Sequence, residues 1–556
     1  MPTQLSKFAV TLAVLLVFLS AFATAQTIGS GNTATADPPV PHPNTTPCTV
    51  QLFSGFEFNI YAPESFTYTP PADCPGPWAA VILQANFSIT AGIQYDRTAN
   101  IWIGPTNVYF GTTAEDQPGE GRHWRIERDL TDYSSIFTVP QDGTVDLFNI
   151  VNSTYTGILY GSAEVLFYPL APNQQPPSTA DQVIAFSGGP TGGTVALNTT
   201  TSLLEQTLTL PTNIESAFLD VFAQGQSTDE FWYFCVPSDL AGELESCGNT
   251  AFRESEVTID GNPAGVAPVY PWIFTGGIDP ELWIPIPGVQ TLNFKPYRVN
   301  LTPFASLLDD GQPHTIALSV FNADSYFSAT ATLLLYLDSG STLVSGAVTG
   351  NTLAVPAPNI TTNLHTAPNG NVSGTVNTTS GHNFQISGYV NTSHGTVTTT
   401  VAQNINFSNL QSFKIQPALD EQNVKQNTTI HSVVTTKNQS GTTVNTVNHT
   451  WPLTLDYAFV VNSDGSYTQT TSINQYFERD QEQRHNGQPT YFSLVKNRVT
   501  PTDTLYISSE GYITGNANQS SAQSYFASDS KGYCYSKTLK AAANVLTAIT
   551  NGVGCN

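Results

Sequence analysis

A bare acid-base pair, Asp96-Arg97, sits between Tyr95 and Trp102 in the run Ile93-Gln94-Tyr95-Asp96-Arg97-Thr98-Ala99-Asn100-Ile101-Trp102-Ile103-Gly104. Only 11% of the 556 residues are charged, so such a pair beside aromatic residues stands out. Partial burial and a neighbouring arginine can tune an aspartate into a base for water. The plainer reading is an ion pair at the start of a short strand. Adjacent residues of a strand point to opposite faces, which disfavours that pairing. A second candidate is Asp229-Glu230-Phe231-Trp232-Tyr233, where Glu230 is an acid and Trp232 a surface for stacking on sugar. Its plainer reading, a solvated turn before an aromatic core strand, is favoured by periodicity alone. A third stretch runs from Asn249 through Arg253 and Glu254 to Glu256, and reads equally as the charged entry to a strand. A fourth is Asn149, a polar residue in an apolar strand, where it serves either a substrate or a buried backbone group.

Several familiar sites are missing. The chain has no G-x-S-x-G elbow, P-loop, H-E-x-x-H or G-x-G-x-x-G, and its nine histidines are scattered. No C-x-x-C is present, so zinc or thioredoxin-like chemistry has little support.

The elements that must position these residues read as strands. From Cys48 to about residue 170, period-two segments alternate with turns, giving roughly eight strands in about 120 residues, as a jelly roll or similar sandwich requires. Asp129–Tyr133 reads as a short turn or helical turn leading into Ser134–Phe137. Residues 171–180 form a proline-rich linker, and a second β-rich unit spans 181–338. Residues 339–370 suggest another linker, followed by a β-rich unit over 371–556. Within it, Asn462-Ser463-Asp464-Gly465 turns a hairpin between Leu453–Val461 and Ser466–Thr470. Thr538–Ile549 is expected to be a short terminal helix, with Leu539, Ala542, Leu546 and Ile549 on one face.

The formal charge of −24 disfavours nucleic acid, whose phosphates call for Lys and Arg, and disfavours anionic membranes. Residues 1–25 have the form of a signal peptide, with Ala23-Thr24-Ala25 as its cleavage site, and 26–47 form a flexible leader. The expected location is extracellular, and the expected protein is glycosylated at sequons such as Asn86, Asn152 and Asn198. Six cysteines permit fifteen pairings. Proximity in sequence favours Cys48–Cys74, Cys235–Cys247 and Cys534–Cys555.

Taken in order, several motifs resemble the peptide:N-glycanase A family. They include Tyr68-Thr69-Pro70-Pro71-Ala72-Asp73-Cys74-Pro75, Gln94-Tyr95-Asp96-Arg97, Ile101-Trp102-Ile103-Gly104 and Thr113-Ala114-Glu115. Asp229-Glu230-Phe231-Trp232-Tyr233, Phe252-Arg253-Glu254, Ile273-Phe274-Thr275-Gly276-Gly277-Ile278 and Leu301-Thr302-Pro303-Phe304 continue the series. The resemblance spans about residues 47–337 and implies two adjacent jelly rolls with the site in the cleft between them. It implies hydrolysis of the glycosyl-asparagine amide of an N-glycopeptide or N-glycoprotein, leaving aspartate and releasing a glycosylamine. No metal or cofactor is implied, and acidic pH is tolerated. By motif position the catalytic aspartate and its arginine fall on Asp96 and Arg97. Two further acids of a bacterial relative fall near Asn149 and near Asn249 or Glu230. Arg253, Glu254 and Trp232 join these as expected substrate contacts. Expected partners are the glycopeptide alone, with the chain a monomer or a cleaved precursor whose parts stay together. A glycosidase using Asp96 with Glu230 and a glycan-binding module without activity are the alternatives.

Overall fold

The computed structural model describes residues 26–115 and 119–555, so the signal-peptide reading of 1–25 lies outside the described residues. The first unit has eight strands: β1 (Cys48–Phe58), β2 (Glu64–Tyr68), β3 (Trp78–Ile89), β4 (Thr98–Ile103), β5 (Thr106–Thr112), β6 (Arg122–Asp129), β7 (Gln141–Asp146) and β8 (Leu159–Pro169). They form two four-stranded sheets, ordered β1-β8-β3-β6 and β2-β7-β4-β5. Alternate side chains such as Val81, Leu83, Ala85 and Phe87 on β3 are buried with Ile101, Val145 and Phe167 in one core. The helical turn expected near Tyr133 is a 3-10 segment, Thr131–Thr138.

The second unit also has two sheets. One contains Gln182–Phe186, Val195–Leu197, Ile214–Gln226, Tyr297–Asn300 and Tyr326–Leu337. The other contains Leu204–Leu208, Glu254–Ile259, Asn262–Pro268 and His314–Phe321. The two units dock by backbone pairing as well as side chains. Thr112 N–H donates to Thr291 O at 3.0 Å and Phe294 N–H to Phe110 O at 2.9 Å. A Cβ on Gly111 would come within 2.4 Å of Leu292 O, so this approach requires glycine.

The last unit is a single twelve-stranded sheet of long antiparallel strands, among them Val372–Thr392, Gly395–Gln416, Leu419–Asn438 and Gly441–Val461. One face packs on the second unit, placing Phe384, Phe407, Trp451 and Leu455 in the same core cluster as Trp232 and Phe252. The hairpin at Asn462–Gly465 is present, with Val461 opposite Tyr467.

Four expectations change. The terminal helix is a β-hairpin: Cys534–Ala542 pairs with Val545–Asn551 across Ala543-Asn544, whose φ values are +49° and +62°. The apolar spacing fitted a helix, but Leu539, Ala541 and Leu546 point inward with period two against the sheet. The chain's single α-helix among the described residues is a short turn, Ala305–Leu308. Residues 339–370 are not a plain linker; Ser345–Asn351 and Asn359–Thr366 pair with the two ends of Val372–Thr392. Residues 26–47 are not a loose leader. Ala34 and Ala36 are buried. The segment bonds to all three units: Val40 N–H to Glu127 Oε2, Ala34 N–H to Pro285 O, and Ala36 N–H to Gln523 Oε1. Small side chains let this strap lie close against its neighbours while its backbone donors are satisfied. Finally, Phe231–Val236 is not a strand: Ser227–Phe234 is a kinked 3-10 segment.

The three disulfides are Cys48–Cys74, Cys235–Cys247 and Cys534–Cys555. Each closes a short loop within one unit, and Cys534–Cys555 ties the open end of the last hairpin.

Candidate active site

Asp96 and Arg97 lie in an extended loop immediately before β4 rather than on the strand itself. The loop is anchored from several sides. Arg97 N–H donates to Thr113 Oγ1 at 2.8 Å, and Thr113 N–H returns to Arg97 O at 2.8 Å. Gln94 donates to the carbonyls of Ile150 and Gly157, and its Oε1 accepts Arg97 Nη2 at 2.9 Å. No ion pair within 4.0 Å joins Asp96 to Arg97 among the described residues, so the plainer reading of that pair does not hold. The Arg97 Nε has no hydrogen-bond partner there either.

The second unit closes over this loop. Thr275 Oγ1 donates to Thr113 O at 2.6 Å, bringing Gly276 against the acid. A Cβ on Gly276 would lie 2.7 Å from Asp96 Oδ1 and 2.9 Å from Glu115 Oε2, so both carboxylates converge where only glycine fits. Burial raises the Asp96 pKa, while the Gly276 N–H and Arg97 draw it back.

Glu230 approaches from the other side. Burial, and next the negative charge of Asp96, push its pKa up to about 8. Its 3-10 segment is fixed from beneath by Asp229. Asp229 Oδ1 accepts Arg253 Nε at 2.9 Å, and its Oδ2 accepts the N–H groups of Asp324 and Ser325 at 2.9 and 2.8 Å. Gly225 allows the segment to fold back, because a Cβ there would meet Asp229 O at 2.2 Å.

Aromatic rings rim the cleft. Tyr95, 56% exposed, packs on Tyr155 with centroids 5.3 Å apart. Tyr61, 66% exposed, packs on Phe148. Tyr326 lies near both Tyr61 and Glu230, whose charges raise its pKa after burial does.

The structure therefore brings Asp96, Arg97 and Glu230 together and removes five expected substrate contacts. Trp232 is 2% exposed in the core against Phe407 and presents no face to a sugar. Asn149 is fully buried and donates its amide to Phe58 O and Gly157 O, leaving no donor for a substrate. Asn249 holds Asp324 Oδ1 at 3.0 Å, and Arg253 is buried against Asp229. Glu254 is buried against His382 Nε2 of the long sheet, 2.6 Å away. Asn149, Arg253 and Glu254 each satisfy a buried partner, Asn249 is engaged with an exposed aspartate, and Trp232 fills the core. Gly276, Tyr61, Tyr155 and Tyr326 were not singled out, whereas Asp229 opened the second candidate stretch and Tyr95 flanked the first. Gly276-Gly277 stood only within the Ile273–Ile278 motif. Among the described residues no cluster of three or more His, Cys, Asp or Glu is placed to hold a metal.

Residues 37–353 match the family described as "Peptide N-acetyl-beta-D-glucosaminyl asparaginase amidase A". The chain belongs to this family. It is accordingly a hydrolase of carbon–nitrogen amide bonds, a peptide-N-glycanase in kind. It is 28% identical over 542 residues to "Peptide-N4-(N-acetyl-beta-glucosaminyl)asparagine amidase A" of Prunus dulcis, covering 93% of this chain and 92% of that one. Among solved structures it is similar to PNGase F of Flavobacterium meningosepticum, a glycosylasparaginase, at 12% identity and a TM-score of 0.36. That match covers 53% of this chain and 97% of the other. It is also similar to PNGF-II at 13% identity and a TM-score of 0.35, covering 52% of this chain and 66% of the other.

Proposed function

We propose that this amidase acts outside the cell on the side-chain amide that joins an N-glycan to asparagine. The single observation that carries the reading is that Asp96 of the first unit, held against Gly276, lies near enough to Glu230 of the second for its charge to act on that acid. Asp96, steadied as an anion by the Gly276 N–H and Arg97, takes a proton from water as the oxygen attacks the amide carbon. Arg97, whose Nη2 is tied to Gln94, stabilises the oxyanion that forms. Glu230, with a pKa of about 8, carries a proton below that pH and gives it to the departing nitrogen. The carbon–nitrogen bond breaks, leaving aspartate on the peptide and a glycosylamine bearing the whole glycan. The proton on Asp96 then returns Glu230 to its acid form through solvent. Tyr95 and Tyr155 offer apolar ring faces beside the acid for the first sugars.

Export is supported by three disulfides and by sequons whose asparagines, including Asn86, Asn152, Asn198 and Asn391, are exposed. The deciding experiment incubates a defined N-glycopeptide with the protein and weighs the products. Expected are a peptide with aspartate in place of asparagine and an intact glycan. A peptide retaining one N-acetylglucosamine would overturn the reading in favour of glycosidic cleavage.

A further inference from the structure

A large cavity of about 1090 Å3 lies away from Asp96, where the strap, the first two units and the long sheet meet. That is slightly above the range for small-molecule sites, roughly 300–1,000 Å3. Its walls carry three kinds of group. The first is aromatic: Tyr297, Phe477, Tyr525, Tyr533 and Tyr535, which keep accessible surface. The second is amide, from Gln290, Gln403 and Asn445. The third is cationic, in a chain with only 18 Lys and Arg. Arg125 and Arg298 on this wall are already paired with carboxylates. Lys295 and Arg479 are not: among the described residues Lys295 makes no ion pair or side-chain hydrogen bond, and Arg479 bonds only to Gln481.

Lys295 keeps accessible surface although protein surrounds it, as a side chain projecting into a cavity does. Burial and the nearby Arg128 push its pKa down to about 8, so it remains a cation at neutral and acidic pH. Asp37 and Asp129 attract it and draw its pKa back up, but neither forms an ion pair with it among the described residues. Asp37 accepts from Asn497 and Gln523, Glu127 from Arg125 and Gln84, and Asp129 from Thr131. His449, enclosed by Tyr297, Trp451 and Phe477, has an Nδ1 with no partner among the described residues. Lys295 projects into the cavity with no carboxylate in direct contact among the described residues, and an anionic ligand group can supply that contact.

We propose that this cavity is a second carbohydrate site, separate from the Asp96 cleft, which takes a short oligosaccharide bearing a carboxylate. Aromatic faces pack on the pyranose C–H surfaces, the amides bond hydroxyls, and Lys295 and Arg479 hold the carboxylate. Both sialylated and uronate sugars present this chemistry.

The test uses the full-length mature chain and calorimetry with sialyllactose, a galacturonate trimer and lactose. At least one acidic sugar should bind saturably and at least tenfold more tightly than lactose, and the one that binds identifies the source. Lys295→Met or Arg479→Gln should weaken that binding tenfold or more, with amidase activity unchanged. Asp96→Asn should leave it intact. The proposal is overturned if neither acidic sugar binds, if lactose binds as well, or if both cation variants bind normally. Loss of binding in Asp96→Asn would also overturn it, by placing the sugar in the cleft.

Discussion

Asp96 and Glu230 come from different units, and so do a second pair of buried acids, Asp279 and Asp503. Asp279 caps the 3-10 turn Pro280–Trp283 of the second unit, its Oδ1 accepting Glu281 N–H at 3.0 Å. Asp503 lies on the strand Thr502–Ile507 of the long sheet and accepts Asn516 Nδ2 at 3.0 Å. Burial raises both of these acids, and they lie close enough that each acts on the pKa of the other. The two pairs share a cause for their raised pKa values but not their surroundings. Asp279 and Asp503 are 0% and 1% exposed across a sealed interface, and the Oδ2 of each lacks a hydrogen-bond partner among the described residues. Asp96 keeps a backbone N–H, an arginine and an exposed tyrosine for company, and Glu230 is only partly buried. Desolvation alone makes an adhesive; desolvation beside a cleft, with fixed donors, makes an acid and a base.

The largest effect expected from this contrast is at Asp96. Asp96→Asn removes the base and should lower kcat by about 10²–10⁴-fold, with a normal melting temperature. Asp279→Asn keeps a hydrogen-bonding amide in the sealed pair and should leave kcat within about twofold. Comparable losses in the two variants would erase the distinction. Next is Glu230→Gln, which removes the proton for the leaving nitrogen and should cost about 10²-fold or more in kcat. Glu230 is protonated below its pKa of about 8, so wild-type activity should fall as pH rises through that value. The variant's residual activity should lack this alkaline limb. Gly276→Ala tests the convergence point itself. A methyl 2.7 Å from Asp96 Oδ1 must displace the carboxylate, and kcat should fall about tenfold to a hundredfold with the fold intact.

Much of this architecture was legible because strands announce themselves by period two. The eight strands of the first unit and the hairpin after Val461 follow directly from alternation and turn residues. The last hairpin was not legible: Leu539, Ala542, Leu546 and Ile549 are spaced as one helical face, whereas the strands bury Ala541 in place of Ala542, against a sheet whose other strands are far away in sequence. The strap was misread for a related reason. Its Thr, Asn and Pro look like a free leader, yet its partners Glu127, Pro285 and Gln523 are supplied by distant segments. At the site, Asp96, Arg97 and Glu230 could be named because they are charges in a chain poor in charge. Trp232 stands two residues from Glu230, and Arg253 and Glu254 lie in a later motif, yet all three are buried. Within the 3-10 turn Ser227–Phe234, invisible to a strand reading, Trp232 is turned inward while Glu230 stays partly exposed.

The sealed pair makes its own prediction on stability. The folded state holds protons on Asp279 and Asp503 more tightly than the unfolded chain does, since burial raises both acids. This contribution is present at and below the ordinary carboxylate range and is lost as pH rises through the elevated values. Melting temperature, followed from acid to mildly alkaline pH, should therefore decline on the alkaline side. Asp279→Asn should flatten the decline. An unchanged slope in that variant would show that Asp279 holds no such proton.

The smallest effect belongs to the ring beside the open pair. Tyr95 is more than half exposed and touches Tyr155, so its removal opens no core cavity and disturbs no buried hydrogen bond. What Tyr95→Ala takes away is ring surface for a sugar, about 0.5–1.5 kcal/mol where an aromatic contact is made. That corresponds to a rise of about threefold to tenfold in KM for a glycopeptide, with kcat nearly unchanged if the contact is equal in ground and transition states. Tyr95→Phe keeps the ring face and loses only the hydroxyl that meets Tyr155, so it should restore most of the affinity. A drop in kcat for Tyr95→Ala, not rescued by Tyr95→Phe, would instead tie the phenol to the placement of Asp96. The open pair would then depend on its rim as well as on Gly276 and Arg97.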